Sequence, residues 1–212
     1  MTRTRIKVCG ITRLDDARRA VELGVDALGF VFWPGSPRCV SADSAADIAA
    51  ALPPFVATVG VFVNQPLDEI AAIVSAVGLS AVQLHGDEGP DAWLRMPGRC
   101  IKAVGVGAGF EAAELERWPP RVWPLLDALD PARRGGTGRI VDWSVAAGAA
   151  RVRRVILAGG LDASNVGEAI ARVRPFAVDV ASGVESEPGV KDPGRLRAFV
   201  ERVAAADAGR LP

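Results

Sequence analysis

The chain reads as an α/β protein, a single-domain (β/α)8 TIM barrel spanning residues 1–212, and three observations predict it. Short β-branched runs alternate with alanine-rich segments of helical spacing, eight such runs can be counted, and polar residues or glycine-rich loops recur where the runs end. Strands separated by helices pair in parallel and need both faces of the sheet covered. A count of eight favours closure into a barrel over an open doubly wound sheet. A length of 212 residues, half of them apolar, is enough to bury one large core.

The predicted strands run, in order, over Ile6–Gly10, Ala27–Phe32, Thr58–Val63, Ala81–Leu84, Cys100–Val104, Val122–Asp127, Val155–Ala158 and Ala177–Val180. Each is rich in Val, Ile, Leu or Phe, and a polar or glycine-rich loop follows. Helical spacing marks Asp15–Leu23, Leu67–Val77, Asn165–Arg172 and Pro193–Ala205, while the fourth and fifth helices are short. Thr12 with Asp15 fits a capping box at the first helix, and Gly24 stands where a C-terminal glycine would stop it. An Arg- and Gly-rich loop from Asp130 to Arg139 follows the sixth strand and reads as a flap over a barrel mouth. No composition break marks a second domain.

Composition excludes several classes. Lys+Arg 25 against Asp+Glu 25 leaves no net charge, so neither nucleic acid nor an anionic membrane is an expected partner. Only Lys7, Lys102 and Lys191 are lysines, an arginine excess that reads as coding bias. Cys9, Cys39 and Cys100 are odd in number and widely spaced, which suits a reducing, cytoplasmic setting and gives no disulfide framework or metal motif. His85 is the only histidine, so no metal site or relay built on two imidazoles is expected. The N-terminal MTRTRIKVCGIT has no apolar signal core. The uncharged stretch Ile48 to Leu67 is broken by Pro53, Pro54, Asn64 and Gln65, and is not a membrane span.

In a barrel of this kind the site lies at the carboxyl ends of the strands, and phosphate commonly sits after strands seven and eight. The polar residues at those ends are Cys9, Arg38, Asn64, His85, Asp127 and Asp179. After the seventh strand stands Ala158-Gly159-Gly160-Leu161, and after the eighth Ala181-Ser182-Gly183-Val184-Glu185. Glycines let backbone N–H groups converge on an anion, the Ser182 hydroxyl adds a donor, and a short helix after Gly183 would add its positive end. Gly159, Gly160, Ser182 and Gly183 are therefore the candidate phosphate cradle, although one glycine pair alone also fits a plain strand-to-helix turn.

Cys9 shares a strand face with Lys7, while Val8 takes the other. A thiol there serves as a base if positive charge lowers its pKa from about 8.5, or else is a small buried hydrophobe. Cys39 and Cys100 keep the latter reading. Asp127 ends its strand as a carboxyl that either faces the mouth or caps the next loop, with Asp130 competing for the role; desolvation would favour its protonated, acidic form. Asp179 is a charge inside the last strand that needs a partner, and reads as structural or as a group binding a substrate hydroxyl. His85 receives no catalytic role, and Trp143 reads as packing.

The ordered motifs resemble the phosphoribosylanthranilate isomerase family. They are Lys7-Val8-Cys9-Gly10-Ile11-Thr12, Ala27–Phe32 with Ser36-Pro37-Arg38, Val59–Asn64, Val82-Gln83-Leu84-His85-Gly86, Leu125-Leu126-Asp127, Gly135–Gly138 through Asp142-Trp143, Ala158–Leu161, and Val178–Glu185. The cysteine, QLHG and SGVE blocks together carry the likeness. It implies a cofactor-free, metal-free Amadori rearrangement of N-(5-phosphoribosyl)anthranilate to 1-(2-carboxyphenylamino)-1-deoxyribulose 5-phosphate in tryptophan biosynthesis. It further implies Asp127 as general acid, Cys9 as general base, Arg38 at the anthranilate end, and the loop glycines with Ser182 on the phosphate; Asp179 is expected from its own position as a substrate contact, and the chain as a monomer or homodimer. The alternatives are another sugar-phosphate isomerase on the same barrel, or a non-catalytic barrel that binds a phosphorylated metabolite. The first would need two aspartates and no Cys9, and the second would bind without turnover.

Overall fold

The computed structural model describes residues 3–96, 98–107, 109–128 and 141–209. Eight strands form one closed, parallel barrel in sequence order: β1 (Arg5–Cys9), β2 (Ala27–Val31), β3 (Ala57–Phe62), β4 (Ala81–Leu84), β5 (Arg99–Val106), β6 (Val122–Ala128), β7 (Ile156–Leu157) and β8 (Ala177–Val180). β1 closes on β8 with Lys7 opposite Asp179. The strands agree with the sequence expectation to within a residue or two, and β7 is shorter than expected.

The connecting helices are α1 (Leu14–Glu22), α2 (Ala42–Ala50), α3 (Leu67–Val77), α4 (Pro90–Arg95), α5 (Trp143–Val152), α6 (Val166–Val173) and α7 (Pro193–Ala208). Between β5 and β6 the helix is replaced by a 3₁₀ segment, Ala112–Arg117. A small antiparallel hairpin, β9 (Glu185–Glu187) with β10 (Val190–Lys191), follows β8. Caps follow local chemistry. Ser41 accepts from Ser44 N at the start of α2, and Asp192 accepts from Arg195 N at the start of α7, where Pro193 gives up an N–H that has no use there. Gly24 takes φ +84 just past α1, as its position implied. The expected Thr12 capping box is corrected: the N-cap is Arg13 with no side-chain cap, and the Thr12 hydroxyl instead donates to the Gly189 carbonyl of the hairpin.

Strand alternation divides the apolar residues into two cores. One face of each strand packs outward on the helices, where Val8, Leu28, Phe30, Phe62, Leu84, Leu126 and Val178 are all fully buried or nearly so. The opposite face fills the barrel with Val59, Ile101, Ala103, Leu125, Ile156, Ala158 and Ala177. Toward the carboxyl end this inner lining turns polar, with Lys7, Gln83, Asp127 and Asp179 each buried on the same inward parity. The loop from Asp130 to Arg139 lies outside the described residues. Among the described residues no helix is long and apolar enough to cross a membrane.

Candidate active site

A cavity of about 500 Å³ opens at the carboxyl ends of the strands. It is lined by Cys9, Arg38, His85, Asp127, Asp179 and the turns at Gly159-Gly160 and Ala181-Ser182, with Trp33, Val31, Val61 and Leu161 supplying apolar wall. The polar residues at the strand ends therefore converge, except Asn64. That residue takes φ +55 and exchanges hydrogen bonds with Asp87 just outside the cavity.

Cys9 ends β1 and stays partly open to the mouth. Burial pushes its thiol pKa up, opposed by the Lys7 ammonium and, more weakly, by Lys191, while Asp179 adds to the rise. Gly29 on β2 makes room for this pair. A Cβ there would lie 2.9 Å from Cys9 Sγ and 3.1 Å from Lys7 Nζ. Lys7 in turn meets Asp179 at 2.9 and 3.0 Å through both carboxylate oxygens. That is the partner a charge inside the last strand demanded. Burial works against the Lys7 charge, but the Asp179 carboxylate and the Cys9 sulfur outweigh it, and the pKa of Lys7 is raised.

Asp127 stands one residue before the end of β6, with one oxygen, Oδ1, accepting from Ala128 N at 2.8 Å. Its other oxygen, Oδ2, lies 3.3 Å from His85 Nε2. Gly159 permits the close approach of the next loop: it takes φ +80, and a Cβ there would stand 2.8 Å from Ala128 N and 3.0 Å from Asp127 Oδ1. Gly160 also has positive φ, and its carbonyl is held by Asn165 Nδ2 at 2.8 Å. Positive φ at both positions is backbone that glycine adopts without strain, and it leaves this turn bare of side chains where it lines the cavity. Ser182 lines the same cavity and opens a 3₁₀ turn, Ser182–Val184. Gly183 sits inside that turn, so the short helix expected to start after it is corrected. Its role here is steric: a Cβ would collide with the Leu161 carbonyl, so glycine alone lets the two loops meet.

Arg38 reaches the mouth from the loop after β2, passing over Gly10, whose φ of +75 and missing Cβ clear its path. Its guanidinium clasps Glu185, with Nε 2.9 and 3.1 Å from the two carboxylate oxygens and Nη2 at 2.6 Å. Glu185 also accepts from Lys191 Nζ at 2.7 Å and Gly189 N at 3.2 Å, and Lys191 donates to the Cys9 carbonyl at 2.6 Å. Burial alone would raise the Glu185 pKa, but the hydrogen bonds and charges of Arg38 and Lys191 prevail and lower it. Burial depresses Lys191. A second polar knot ties the ends of β3, β4 and β5. Glu88 accepts from Asn64 N, Gly86 N and Lys102 Nζ at 2.7, 2.9 and 2.8 Å, which fixes the loop carrying His85.

Sequence reading gave Glu185, Lys191, Glu88, Lys102 and Gln83 no role. The signal was present in the lysines. All three lysines of the chain are buried and paired with an acid, Lys7 to Asp179, Lys102 to Glu88 and Lys191 to Glu185. A chain that writes its other cations as arginine keeps lysine where a slender stem and a compact charge must enter a tight interior. Cys39 is exposed, and Cys100 is fully buried on the outward face, where desolvation raises its thiol to about 11, so neither shares the Cys9 environment. Trp143 packs against the outer core, as expected. Among the described residues no group of His, Cys, Asp and Glu is placed to hold a metal ion.

Residues 6–202 match the family described as N-(5'phosphoribosyl)anthranilate (PRA) isomerase. The chain is 50% identical over 210 residues to the N-(5'-phosphoribosyl)anthranilate isomerase of Chromohalobacter salexigens, covering 98% of each protein. A solved phosphoribosylanthranilate isomerase from Thermotoga maritima, described as monomers generated from a dimeric protein, superposes with a TM-score of 0.85 at 39% identity, over 95% of this chain and 99% of that one. A solved phosphoribosyl anthranilate isomerase in complex with reduced 1-(o-carboxyphenylamino)-1-deoxyribulose 5-phosphate superposes equally well, with a TM-score of 0.85, 41% identity and the same coverage.

Proposed function

The chain belongs to the N-(5'-phosphoribosyl)anthranilate isomerase family, and from that premise we propose how its own side chains perform the reaction. The activity is the isomerisation of N-(5'-phosphoribosyl)anthranilate in tryptophan biosynthesis. One observation carries the assignment of residues. Cys9 and Asp127 line one cavity, which is also lined by the Gly159-Gly160 turn, Ser182 and Arg38.

The substrate carries a phosphate and an anthranilate carboxylate, two anions joined by a furanose. The phosphate sits between the side-chain-free Gly159-Gly160 turn and the Ser182 hydroxyl, two loops that Gly183 allows to close up. The carboxylate meets Arg38, whose Nε and Nη2 are already committed to Glu185 and whose remaining edge suits a planar anion. Holding both ends positions the sugar before any bond changes.

Asp127, protonated, gives its proton to the furanose ring oxygen as the C1–O bond breaks, and the anilino nitrogen supplies the electrons that make the iminium. Cys9 then removes the proton from C2, giving an enolamine that tautomerises to the ketone. Burial holds the resting thiol up, so the base must be activated. The iminium supplies the means, since a cation formed beside Sγ favours the thiolate. Asp179, fixed by Lys7, faces the same space and is assigned to a sugar hydroxyl. A cytoplasmic setting agrees with three free thiols, and the oligomeric state is a monomer or a homodimer.

The test follows the loss of substrate fluorescence in parent, Cys9→Ala and Asp127→Asn proteins. General acid and base each contribute about 10²–10⁴-fold, so each folded variant should lose kcat on that scale. Full activity in either removes that residue from its role.

A further inference from the structure

An arginine fork grips a planar carboxylate well only when its plane and a free edge are already aimed at the anion. Glu185 supplies that aim for Arg38. Its Oε1 and Oε2 lie 2.9 and 3.1 Å from Nε, and Oε2 lies 2.6 Å from Nη2, so the carboxylate occupies one whole edge of the guanidinium. Nη1 makes no hydrogen bond among the described residues. With the second N–H of Nη2 it forms a terminal edge that stays open on a residue lining the cavity.

The carboxylate that holds Arg38 is itself held. Glu185 is 5% exposed, and its Oε1 also accepts from Lys191 Nζ at 2.7 Å and from Gly189 N at 3.2 Å. Burial works to raise its pKa, but Arg38 and Lys191 prevail, so the group stays a carboxylate near neutral pH. The formal charges of Arg38, Lys191 and Glu185 leave one positive charge over, the complement of one incoming carboxylate. We propose that Glu185 is a positioning residue that fixes the Arg38 guanidinium for the carboxylate end of the substrate, and so sets the preference for an anthranilate-bearing sugar phosphate. The inference rests on Arg38 as the seat of that carboxylate.

Charge alone argues the other way, which separates geometry from electrostatics. Glu185→Gln removes a negative charge beside Arg38 and Lys191, so a site governed by net charge would bind an anion more tightly. A site governed by geometry would bind it more weakly. Glutamine offers one acceptor where the carboxylate offers two, so the paired contact breaks and the long side chain regains its rotamers. In Lys191→Met/Glu185→Gln the formal charge of the cluster stays that of the parent, and the grip on Arg38 is lost by itself.

The experiment measures binding to the intact chain by calorimetry. Its two ligands are reduced 1-(o-carboxyphenylamino)-1-deoxyribulose 5-phosphate and the phenylamino analogue that lacks the carboxylate. Glu185→Gln and Lys191→Met/Glu185→Gln should each bind the first about tenfold or more weakly than the parent, with the second changed by less than about twofold. Arg38→Met should show the same selectivity, and adding Glu185→Gln to it should cost little more, because the two residues act as one unit. Unchanged or tighter binding of the carboxylate ligand in the folded variants, or an equal loss on both ligands, would overturn the inference and leave Arg38 standing. If Arg38→Met weakens both ligands alike, the carboxylate seat itself falls, and the inference falls with it.

Discussion

Separating the buried pair Lys7–Asp179 should destabilise the barrel with opposite dependence on pH according to which partner is removed. Both groups are buried, and the ammonium lies within hydrogen-bond distance of both carboxylate oxygens. A charge stranded there can always neutralise itself, and this caps the penalty. Lys7 left alone in Asp179→Leu must give up a proton held with an ordinary pKa of 10.5, which near pH 7 costs about 5 kcal/mol at about 1.36 kcal/mol per unit. Asp179 left alone in Lys7→Met must take up a proton with an ordinary pKa of 3.8, costing about 4 kcal/mol at the same pH. These ceilings agree with the roughly 3–5 kcal/mol seen when one member of a buried pair is deleted.

The signs differ. A stranded Asp179 has its folded pKa raised, so the folded state binds the extra proton. Lys7→Met therefore gains stability as pH falls, its ceiling dropping to about 2 kcal/mol near pH 5.5. A stranded Lys7 has its folded pKa lowered, so the unfolded state binds more protons. Asp179→Leu therefore gains stability as pH rises, with a ceiling of about 2 kcal/mol near pH 9. Urea denaturation of both variants and the parent at these three pH values measures the slopes. Parallel pH dependence in the two variants, or losses under about 1 kcal/mol throughout, would refute the view that these charges are desolvated and mutually dependent.

Three further outcomes are expected. Gly29→Ala pushes a methyl against Cys9 Sγ and Lys7 Nζ, and should cost about 1–3 kcal/mol in denaturation together with a fall in kcat, whereas wild-type kcat would deny the tight packing around the thiol. Glu185 has a folded pKa below its ordinary 4.5, so the stability it lends is present above that pH and is lost as pH falls through the folded value; Glu185→Gln should be less stable than the parent near neutrality and should lose less on acidification, as thermal melts across that window will read. Arg174 caps α6 from just past its end, in the left-handed region at φ +53, and Arg174→Gly should raise stability by about 0.5–1 kcal/mol in urea melts, a loss pointing instead to a contact made by the arginine stem.

Much of this molecule was legible along the chain. Alternation of β-branched runs with alanine-rich segments marked eight strands and favoured a barrel, because period-two and period-3.6 burial are properties of local sequence. A barrel in turn fixes which end is functional, so Cys9, Asp127, Asp179 and the Gly159-Gly160 turn could be named from strand position alone. Local signals failed where a distant segment competed for the same group. Thr12 has the spacing of a cap, yet its hydroxyl goes to Gly189, far along the chain. Gly183 looks like a helix start, yet it is glycine because the Leu161 carbonyl needs its space.

Tertiary structure alone decided the pairings. Lys7 with Asp179, Lys191 and Arg38 with Glu185, Lys102 with Glu88, and Gln83 with His85 before Asp127 depend on which strand ends adjoin when the barrel closes. Parity along one strand says that a side chain points inward. Only the closed sheet says what it meets there, and in an interior where an unpaired charge costs several kcal/mol, that meeting sets the protonation state on which the chemistry turns.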